Sequence, residues 1–314
     1  MLSRRNKLFV KKIISLFSVI RGYNIPVIIL AQYLSAIFIL AKDQSALETL
    51  LDVNLFLIVL ASSVTIASGY IINNFYDSKK DLINRPRKSM LDRLVSQKTK
   101  LTIYFTLNFI AAFLGLLVSW RAALFFSVYI FLIWFYSHKV KRYAFIGNLM
   151  STLMTIAPFF AIFLMYYKDI EHTNSYIVIF SHAAFLFLLL WIRELIKDLE
   201  NIAGDFAANY QTIPVVYGEK TSKYIITILS ILTVIPVYIL IELDDVGYMD
   251  IYFYFCFIVL LFFIMYLWKS KSKTQYLKLH NVLKVLIVSG VFCIVLIEPS
   301  VLIHGKKLLI SMRF

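Results

Sequence analysis

The chain has 314 residues, of which 61% are hydrophobic and only 16% are charged, with a net charge of +14. A soluble domain could not bury so much apolar surface, so the composition excludes a soluble globular fold and indicates a polytopic membrane protein. Glycine is scarce, with 9 residues, and no segments of alternating hydrophobicity occur, which argues against a membrane β-barrel. The predicted fold class is an all-α integral membrane protein.

Nine apolar stretches are long enough to cross a bilayer, which takes about 17–25 residues. They predict about nine transmembrane helices in a single polytopic domain over residues 1–314, preceded by a basic N-terminal segment at 1–20. The weakest boundary lies near 119–122, where only Trp120 and Arg121 interrupt one long apolar run. The predicted spans are 24–41, 54–75, 101–119, 122–138, 145–166, 175–196, 223–241, 248–268 and 282–302.

The lysines and arginines are divided unequally between the two sides of this topology. The side that holds the N-terminus carries 26 of the 32. Because cytoplasmic loops carry the excess of basic residues, this side is expected to be cytoplasmic. The positive charge is therefore explained by topology, and no nucleic-acid partner is expected. The two cysteines lie in apolar runs and predict no disulfide framework.

The second span ends in a polar cluster, NNFYDSKKD at 73–81. Asp77 and Asp81 are four residues apart, so on a helix they share one face about 6 Å apart. Asn73 and Asn74 precede them, and the basic stretch 84–88 follows. Two carboxylates this close repel each other unless a cation lies between them.

The sixth span ends in a second cluster, WIRELIKDLENIAGD at 191–205. Asp198 and Asp205 are seven residues apart and therefore lie on nearly the same helix face. Charges within an apolar helix cost roughly 2.5–3.5 kcal/mol each on insertion scales, and such residues generally face a polar cavity. The cluster also contains Arg193, Glu194, Lys197, Glu200 and Asn201.

Both clusters, together with a basic segment after span four, fall at the cytoplasmic ends of even-numbered spans. Mg²⁺ typically takes one or two carboxylates plus phosphate oxygens, and lysine or arginine balances the remaining phosphate charge. This pattern favours a substrate with a diphosphate head at the carboxylates and an apolar tail inside the helix bundle.

The two clusters resemble the motifs of the UbiA-type intramembrane prenyltransferases. The family pattern Asn-Asp-x-x-Asp-x-x-x-Asp corresponds to residues 73–81, with asparagine at the second position. The pattern Arg-Glu-x-x-Lys-Asp-x-Glu-Asp-x-x-Gly-Asp corresponds to 193–205, with Asn201 where an acid is usual. The matching residues beyond these motifs are Arg21, Asn24, Tyr136, Ser137, Lys141, Arg142, Thr212, Pro214, Val215 and Gly218.

The resemblance implies two helix bundles around a central cavity and a Mg²⁺-dependent enzyme. The enzyme would transfer a polyprenyl group from a polyprenyl diphosphate to a lipid or aromatic acceptor and release diphosphate. The acidic residues Asp77, Asp81, Asp198 and Asp205 are the implied catalytic set. The implied metal-binding set adds Asn73, Asn74, Glu200 and Asn201. The implied substrate-binding set is Arg21, Asn24, Arg85, Lys139, Lys141, Arg142, Arg193 and Lys197.

The motif pattern is closest to the branches that prenylate glycerol-phosphate lipids or chlorophyll-type acceptors. We expect an integral protein of a bacterial inner membrane, with a cytoplasmic N-terminus and no obligatory protein partner. Two alternatives remain open on the residues alone. A transporter also carries ionisable residues in its spans, and a CDP-alcohol phosphotransferase also uses aspartates at a membrane edge, although its Asp-Gly-x-x-Ala-Arg motif is absent.

Overall fold

The computed structural model describes residues 4–41, 44–167, 173–243, 246–299 and 301. Within these ranges the chain is almost entirely helical and forms no strand, apart from one isolated bridge between Tyr143 and Gln211. The helices are α1 (Arg4–Val19), α2 (Ile25–Ser35), α3 (Ala46–Leu51), α4 (Val53–Asn84), α5 (Pro86–Asp92), α6 (Gln97–Val118), α7 (Trp120–His138), α8 (Ile146–Tyr166), α9 (Thr173–Ala207), α10 (Ile213–Leu232), α11 (Val234–Leu243), α12 (Met249–Lys269) and α13 (Lys273–Cys293).

Nine candidate spans are present in the described part of the chain, which confirms the predicted all-α membrane fold. The uncertain boundary is also confirmed, because α6 ends at Val118 and α7 begins at Trp120. Ser119 caps α7 by accepting a hydrogen bond from the backbone N–H of Ala122 at 3.1 Å, which satisfies one of the unpaired donors at a helix start. The ninth span was predicted to end at 302, and residues 300 and 302 lie outside the described ranges.

The helices form two groups that meet around a central space. In the first group, α4 packs against α2, α6 and α7. In the second, α9 packs against α10, α11 and α13. The groups meet where α9 contacts α4 and α8, and where α13 contacts α2. The two helices that carry the acidic clusters, α4 and α9, are therefore direct neighbours.

Both cluster-bearing helices extend well past the spans predicted from hydrophobicity. Helix α4 continues from the predicted end at 75 to Asn84, and α9 continues from 196 to Ala207. The polar clusters are thus helical, and their periodicity decides which side chains share a face. Pro86, which lacks a backbone N–H, opens the short helix α5 directly after α4.

The N-terminal segment forms an amphipathic helix, α1, that packs on α5. Ser15 donates a hydrogen bond from Oγ to the carbonyl of Leu91 at 2.8 Å, and Ser18 donates to Asp92 Oδ1 at 2.8 Å. Phe9 and Ile13 lie on an exposed apolar face of this helix. A helix of this kind suits the membrane–water interface.

Candidate active site

A polar cavity of about 80 Å³ lies between the ends of α4 and α9. It contains ten of the residues that the sequence assigned to metal or substrate binding: Arg21, Asn73, Asp77, Asp81, Arg85, Lys141, Lys197, Asp198, Asn201 and Asp205. The two acidic clusters therefore face one shared space.

Asp77 is the most heavily engaged acid on the α4 side of the cavity. Its Oδ1 lies 2.7 Å from Lys141 Nζ and accepts a hydrogen bond from the Tyr210 hydroxyl at 3.0 Å. Lys141 also donates to Asn73 Oδ1 at 3.1 Å. Asp81, one turn further on, forms no ion pair within 4 Å among the described residues. On the α4 side, Asp77 is therefore paired with a cation, whereas the Asp81 carboxylate remains available to bind one.

On the α9 side, both aspartates are buried and face the same direction. Asp198 Oδ2 accepts a hydrogen bond from Asn148 Nδ2 at 2.7 Å. Asp205 Oδ1 lies 3.1 Å from Lys80 Nζ, and the same ammonium is 4.0 Å from Asp77 Oδ1. Lys80 thus bridges the carboxylates of α4 and α9 and offsets their mutual repulsion.

Lys141 lies in the loop between α7 and α8 and is only 7% exposed. Burial lowers the pKa of its ammonium to about 8, although the Asp77 carboxylate acts in the opposite direction. The pKa of Tyr210 is raised, first by burial and then by the same carboxylate. Lys141 is therefore a cation at neutral pH that loses its charge in mildly alkaline solution.

Glu194 and Lys197 form an ion pair on the cavity side of α9. Glu194 also accepts a hydrogen bond from Ser151 Oγ at 2.9 Å. Both α9 side chains line the cavity, so Lys197 is a second cation within reach of a bound anion.

Arg21 lies at the bend between α1 and α2 and lines the cavity. Its backbone is in the left-handed region, with φ of 48°, which is uncommon for a residue with a side chain. The guanidinium lies 5.1 Å from the centre of the Tyr70 ring. Asn24 donates to the hydroxyl of the same tyrosine at 3.3 Å and does not line the cavity. Arg21 and Asn24 were both expected to bind the substrate, but only Arg21 lines the polar cavity.

Asn74 and Glu200, both assigned to the metal, have their side chains engaged outside the cavity. Asn74 donates to Asp92 Oδ2 at 3.0 Å and accepts from Lys100 Nζ at 2.8 Å. Glu200 accepts from Arg85 and from His280. Neither of the two assigned residues is among those that line the polar space.

Three of the basic residues assigned to the substrate also lie outside the cavity lining. Arg193 is 3.8 Å from Glu194 Oε1. The Arg142 guanidinium is 5.7 Å from the centre of the Tyr210 ring. Lys139 is exposed at the end of α7. These three positions fit the ordinary excess of basic residues on the side that the sequence predicts to be cytoplasmic.

Sequence reasoning missed four residues that hold the acids in place: Lys80, Asn148, Tyr210 and His280. Lys80 could have been found, because it lies three residues after Asp77 and therefore near the same helix face. The other three belong to different elements from the acids they contact. No local pattern in the sequence joins them to their partners.

The oxygens of this cavity fit a hard divalent cation bound together with phosphate. Among the described residues, no group of three His, Cys, Asp or Glu side chains could hold a metal ion alone. However, Asn201 Oδ1 is buried and has no hydrogen-bond partner in the described part, while its Nδ2 donates to the Lys197 carbonyl at 2.7 Å. With Asp81 and Asp198, it offers oxygen ligands of the type that Mg²⁺ prefers.

A second, mainly apolar cavity of about 90 Å³ lies between the two groups of helices. Phe159 and Phe185 line it, together with Leu189, Tyr252 and Ile287. Its walls are suited to a hydrocarbon chain, whereas the first cavity is suited to an anionic head.

The chain is similar to several archaeal enzymes. It is 30% identical over 215 residues to the digeranylgeranylglyceryl phosphate synthase of Methanobrevibacter smithii, covering 66% of this chain and 70% of the relative. It is also 30% identical over 199 residues to the enzyme of the same name from Pyrococcus horikoshii, covering 63% of this chain and 69% of the relative.

Solved structures show the same fold. A structure of a digeranylgeranylglyceryl phosphate synthase superposes with a TM-score of 0.66 at 21% identity, covering 91% of this chain and 99% of the other. A UbiA homologue from Archaeoglobus fulgidus, bound to GPP and Mg²⁺, gives a TM-score of 0.65 at 14% identity, covering 90% and 99%. The family model of the UbiA prenyltransferases matches residues 29–294. This chain is therefore a member of the UbiA prenyltransferase family.

Proposed function

We propose that this prenyltransferase moves a geranylgeranyl-class group from its diphosphate to the hydroxyl of a glyceryl phosphate lipid within the membrane. The observation that carries the proposal is the polar cavity in which the carboxylates of α4 face those of α9, with Lys80 and Lys141 between them. The acceptor is inferred from the archaeal relatives, which are named for a product of this chemistry.

The residues that would hold Mg²⁺ are Asp77, Asp81, Asp198 and Asp205, with Asn201 Oδ1 as a neutral ligand. The ion would neutralise the negative charge that develops on the departing diphosphate. The proposal rests on the clustering of these oxygens and on the Mg²⁺ in the structure of the Archaeoglobus fulgidus homologue.

Basic side chains would bind the diphosphate at the same site. Lys141, Lys197 and Arg85 line the cavity together with the carboxylates. Positive groups fixed before the reaction stabilise the leaving group without reorganisation. The apolar cavity would take the prenyl chain, and its aromatic walls would keep water away from C1.

The proposed reaction balances as a substitution at the allylic carbon. The C1–O bond breaks, and its electron pair leaves with the diphosphate. An acceptor hydroxyl oxygen then forms the new C–O bond to C1 and gives up its proton to a base. The protein's part is to hold the diphosphate, align the hydroxyl with C1 and exclude water from the carbon.

The proposed orientation places the polar cavity and the N-terminus on the cytoplasmic side, because the basic residues are concentrated there. A reporter fused to the N-terminus should behave as cytoplasmic. The relatives reported above are archaeal, so they offer no support for the expected bacterial inner membrane, and that location stays a prediction from the sequence.

The test is to incubate membranes containing the protein with labelled geranylgeranyl diphosphate and a panel of acceptors, with and without Mg²⁺. The acceptors are geranylgeranylglyceryl phosphate, an aromatic quinone precursor and a chlorophyll-type alcohol acceptor. We expect Mg²⁺-dependent release of diphosphate and a prenylated glyceryl phosphate by mass spectrometry. Prenylation of only the aromatic acceptor would contradict the proposed glyceryl phosphate acceptor. The absence of any diphosphate release would contradict the proposed enzyme activity.

A further inference from the structure

Glu200 lies in the acidic motif of α9, but its side chain points away from the polar cavity. Successive residues of an α-helix are rotated by about 100°, so Glu200 is about 200° from Asp198, whereas Asp205 returns to within about 20° of it. The aspartates line the cavity and Glu200 does not. The three acids therefore cannot share one ion while α9 stays helical.

The Glu200 carboxylate is buried and both of its oxygens are engaged. Oε1 lies 3.2 Å from Arg85 Nη2, and Oε2 lies 2.8 Å from His280 Nδ1. Glu200 is 5% exposed and His280, on α13, is 8% exposed. The acid thus joins the end of α4 to the last long helix of the described chain.

The backbone beside Arg85 is also held by α13 and α9. Lys273 Nζ donates to the carbonyl of Asn84 at 2.6 Å. The Asn84 side chain lies against Gly204, where a Cβ atom would overlap the amide. The turn between α4 and α5 is therefore held at three points, which are the carbonyl of Asn84, the side chain of Asn84 and the guanidinium of Arg85.

We infer that Glu200 and His280 position the Arg85 guanidinium to bind the diphosphate, and that Glu200 does not bind the metal. A guanidinium carries five N–H donors in a planar fork, so one edge can bind Glu200 while another faces a phosphate oxygen. A cation that is already oriented loses less freedom on binding. The inference rests on the proposed function, because it needs a diphosphate in the cavity.

The test measures binding of geranylgeranyl thiolodiphosphate, a donor analogue that resists cleavage, to the full-length protein in the presence of Mg²⁺. The variants are Glu200→Gln, His280→Ala, Arg85→Ala and Glu200→Gln combined with Arg85→Ala. The matched control is Glu219→Gln, because Glu219 contacts Tyr276 of α13 and lies outside the cavity.

We expect Glu200→Gln and Arg85→Ala each to weaken analogue binding by about tenfold, as for the loss of a charge-assisted contact. In the Arg85→Ala background, Glu200→Gln should have no further effect, because residues that act through one contact are not additive. His280→Ala should weaken binding in the same direction. The Mg²⁺ concentration for half-maximal binding and the affinity of the control should stay unchanged.

Three results would overturn the inference. A higher Mg²⁺ requirement in Glu200→Gln would make Glu200 a metal ligand. Additive losses in the double variant would mean that Glu200 acts without Arg85. Unchanged binding by Glu200→Gln would remove the positioning role. If the wild-type protein itself failed to bind the analogue, the proposed function would fail instead, so the two failures are distinguishable.

Discussion

The positive charge of Lys141 should control binding of the diphosphate donor. This charge can be removed in two ways, by raising the pH or by substituting the residue, and the two effects can be compared. Lys141 Nζ lies 2.7 Å from Asp77 Oδ1 inside the polar cavity. Burial lowers the pKa of this ammonium from 10.5 to about 8. We expect the wild-type enzyme to lose kcat/KM for the diphosphate donor as the pH rises through this value.

The magnitude follows from the titration of one group. With a pKa of about 8, Lys141 is about 90% protonated at pH 7 and about 10% protonated at pH 9. If only the protonated form captures the donor, the active fraction falls from about 0.91 to about 0.09, so kcat/KM falls about tenfold between these pH values. Lys141→Arg keeps its charge at pH 9, because the arginine pKa exceeds 12, and its profile should stay flat.

The assay is donor-limited release of diphosphate from pH 6.5 to 9.5, with Lys141→Met as the uncharged control. Lys141→Met should be slow at every pH and should lack the decline near pH 8. The expected fall in kcat/KM near pH 8 cannot come from unfolding that is driven by the deprotonation of Lys141. Because its pKa is lower in the folded state, the unfolded chain binds more protons between pH 8 and 10.5, so its contribution to stability rises with pH. A decline of the same size in Lys141→Arg would refute the reasoning.

Four further variants test other parts of the site. Asp77→Asn should lower turnover at least about 100-fold, as expected for losing electrostatic stabilisation, and near-normal turnover in folded protein would remove Asp77 from the site. Gly204→Ala should lower the thermal midpoint, because overpacking against Asn84 costs roughly 1–3 kcal/mol, and an unchanged midpoint in a melting curve would contradict the close approach. Asn201→Asp should lower the Mg²⁺ concentration that gives the half-maximal rate, because Asn201 lines the cavity. Asn74→Asp should leave this concentration unchanged, because Asn74 lies outside the cavity lining. A Mg²⁺ titration of both variants tests this difference.

The membrane fold could be predicted from the sequence because span length and apolar content are local properties. The boundary between α6 and α7 was found from Trp120 and Arg121 alone. The ends of α4 and α9 were not found, because hydrophobicity stops at the membrane surface while the helix continues. Hydrogen bonding along the helix axis, rather than lipid contact, sustains these polar turns up to Asn84 and Ala207.

The sequence could predict that the acids proposed to bind the metal lie close together, because helical periodicity shows which side chains share a face. Asp198 and Asp205 repeat after seven residues, which is close to two turns. Their partners were not predictable in the same way. Asn148 reaches Asp198 from α8, and Tyr210 reaches Asp77 from the segment between α9 and α10. Such contacts depend on the packing of helices distant in the chain.

Asn74 and Asn201 each stand where the family pattern usually has an acid, but their positions on the helices give their side chains different surroundings. Asn201 Oδ1 lies in the cavity without a hydrogen-bond partner among the described residues, whereas Asn74 is turned to Asp92 and Lys100. The cavity therefore keeps four aspartates, of which Asp77 and Asp205 already contact lysines. A divalent ion entering with the diphosphate would compete with those ammonium groups for the same oxygens. The ammonium groups would then be released toward the phosphate, so metal binding and anion binding should strengthen each other at this site.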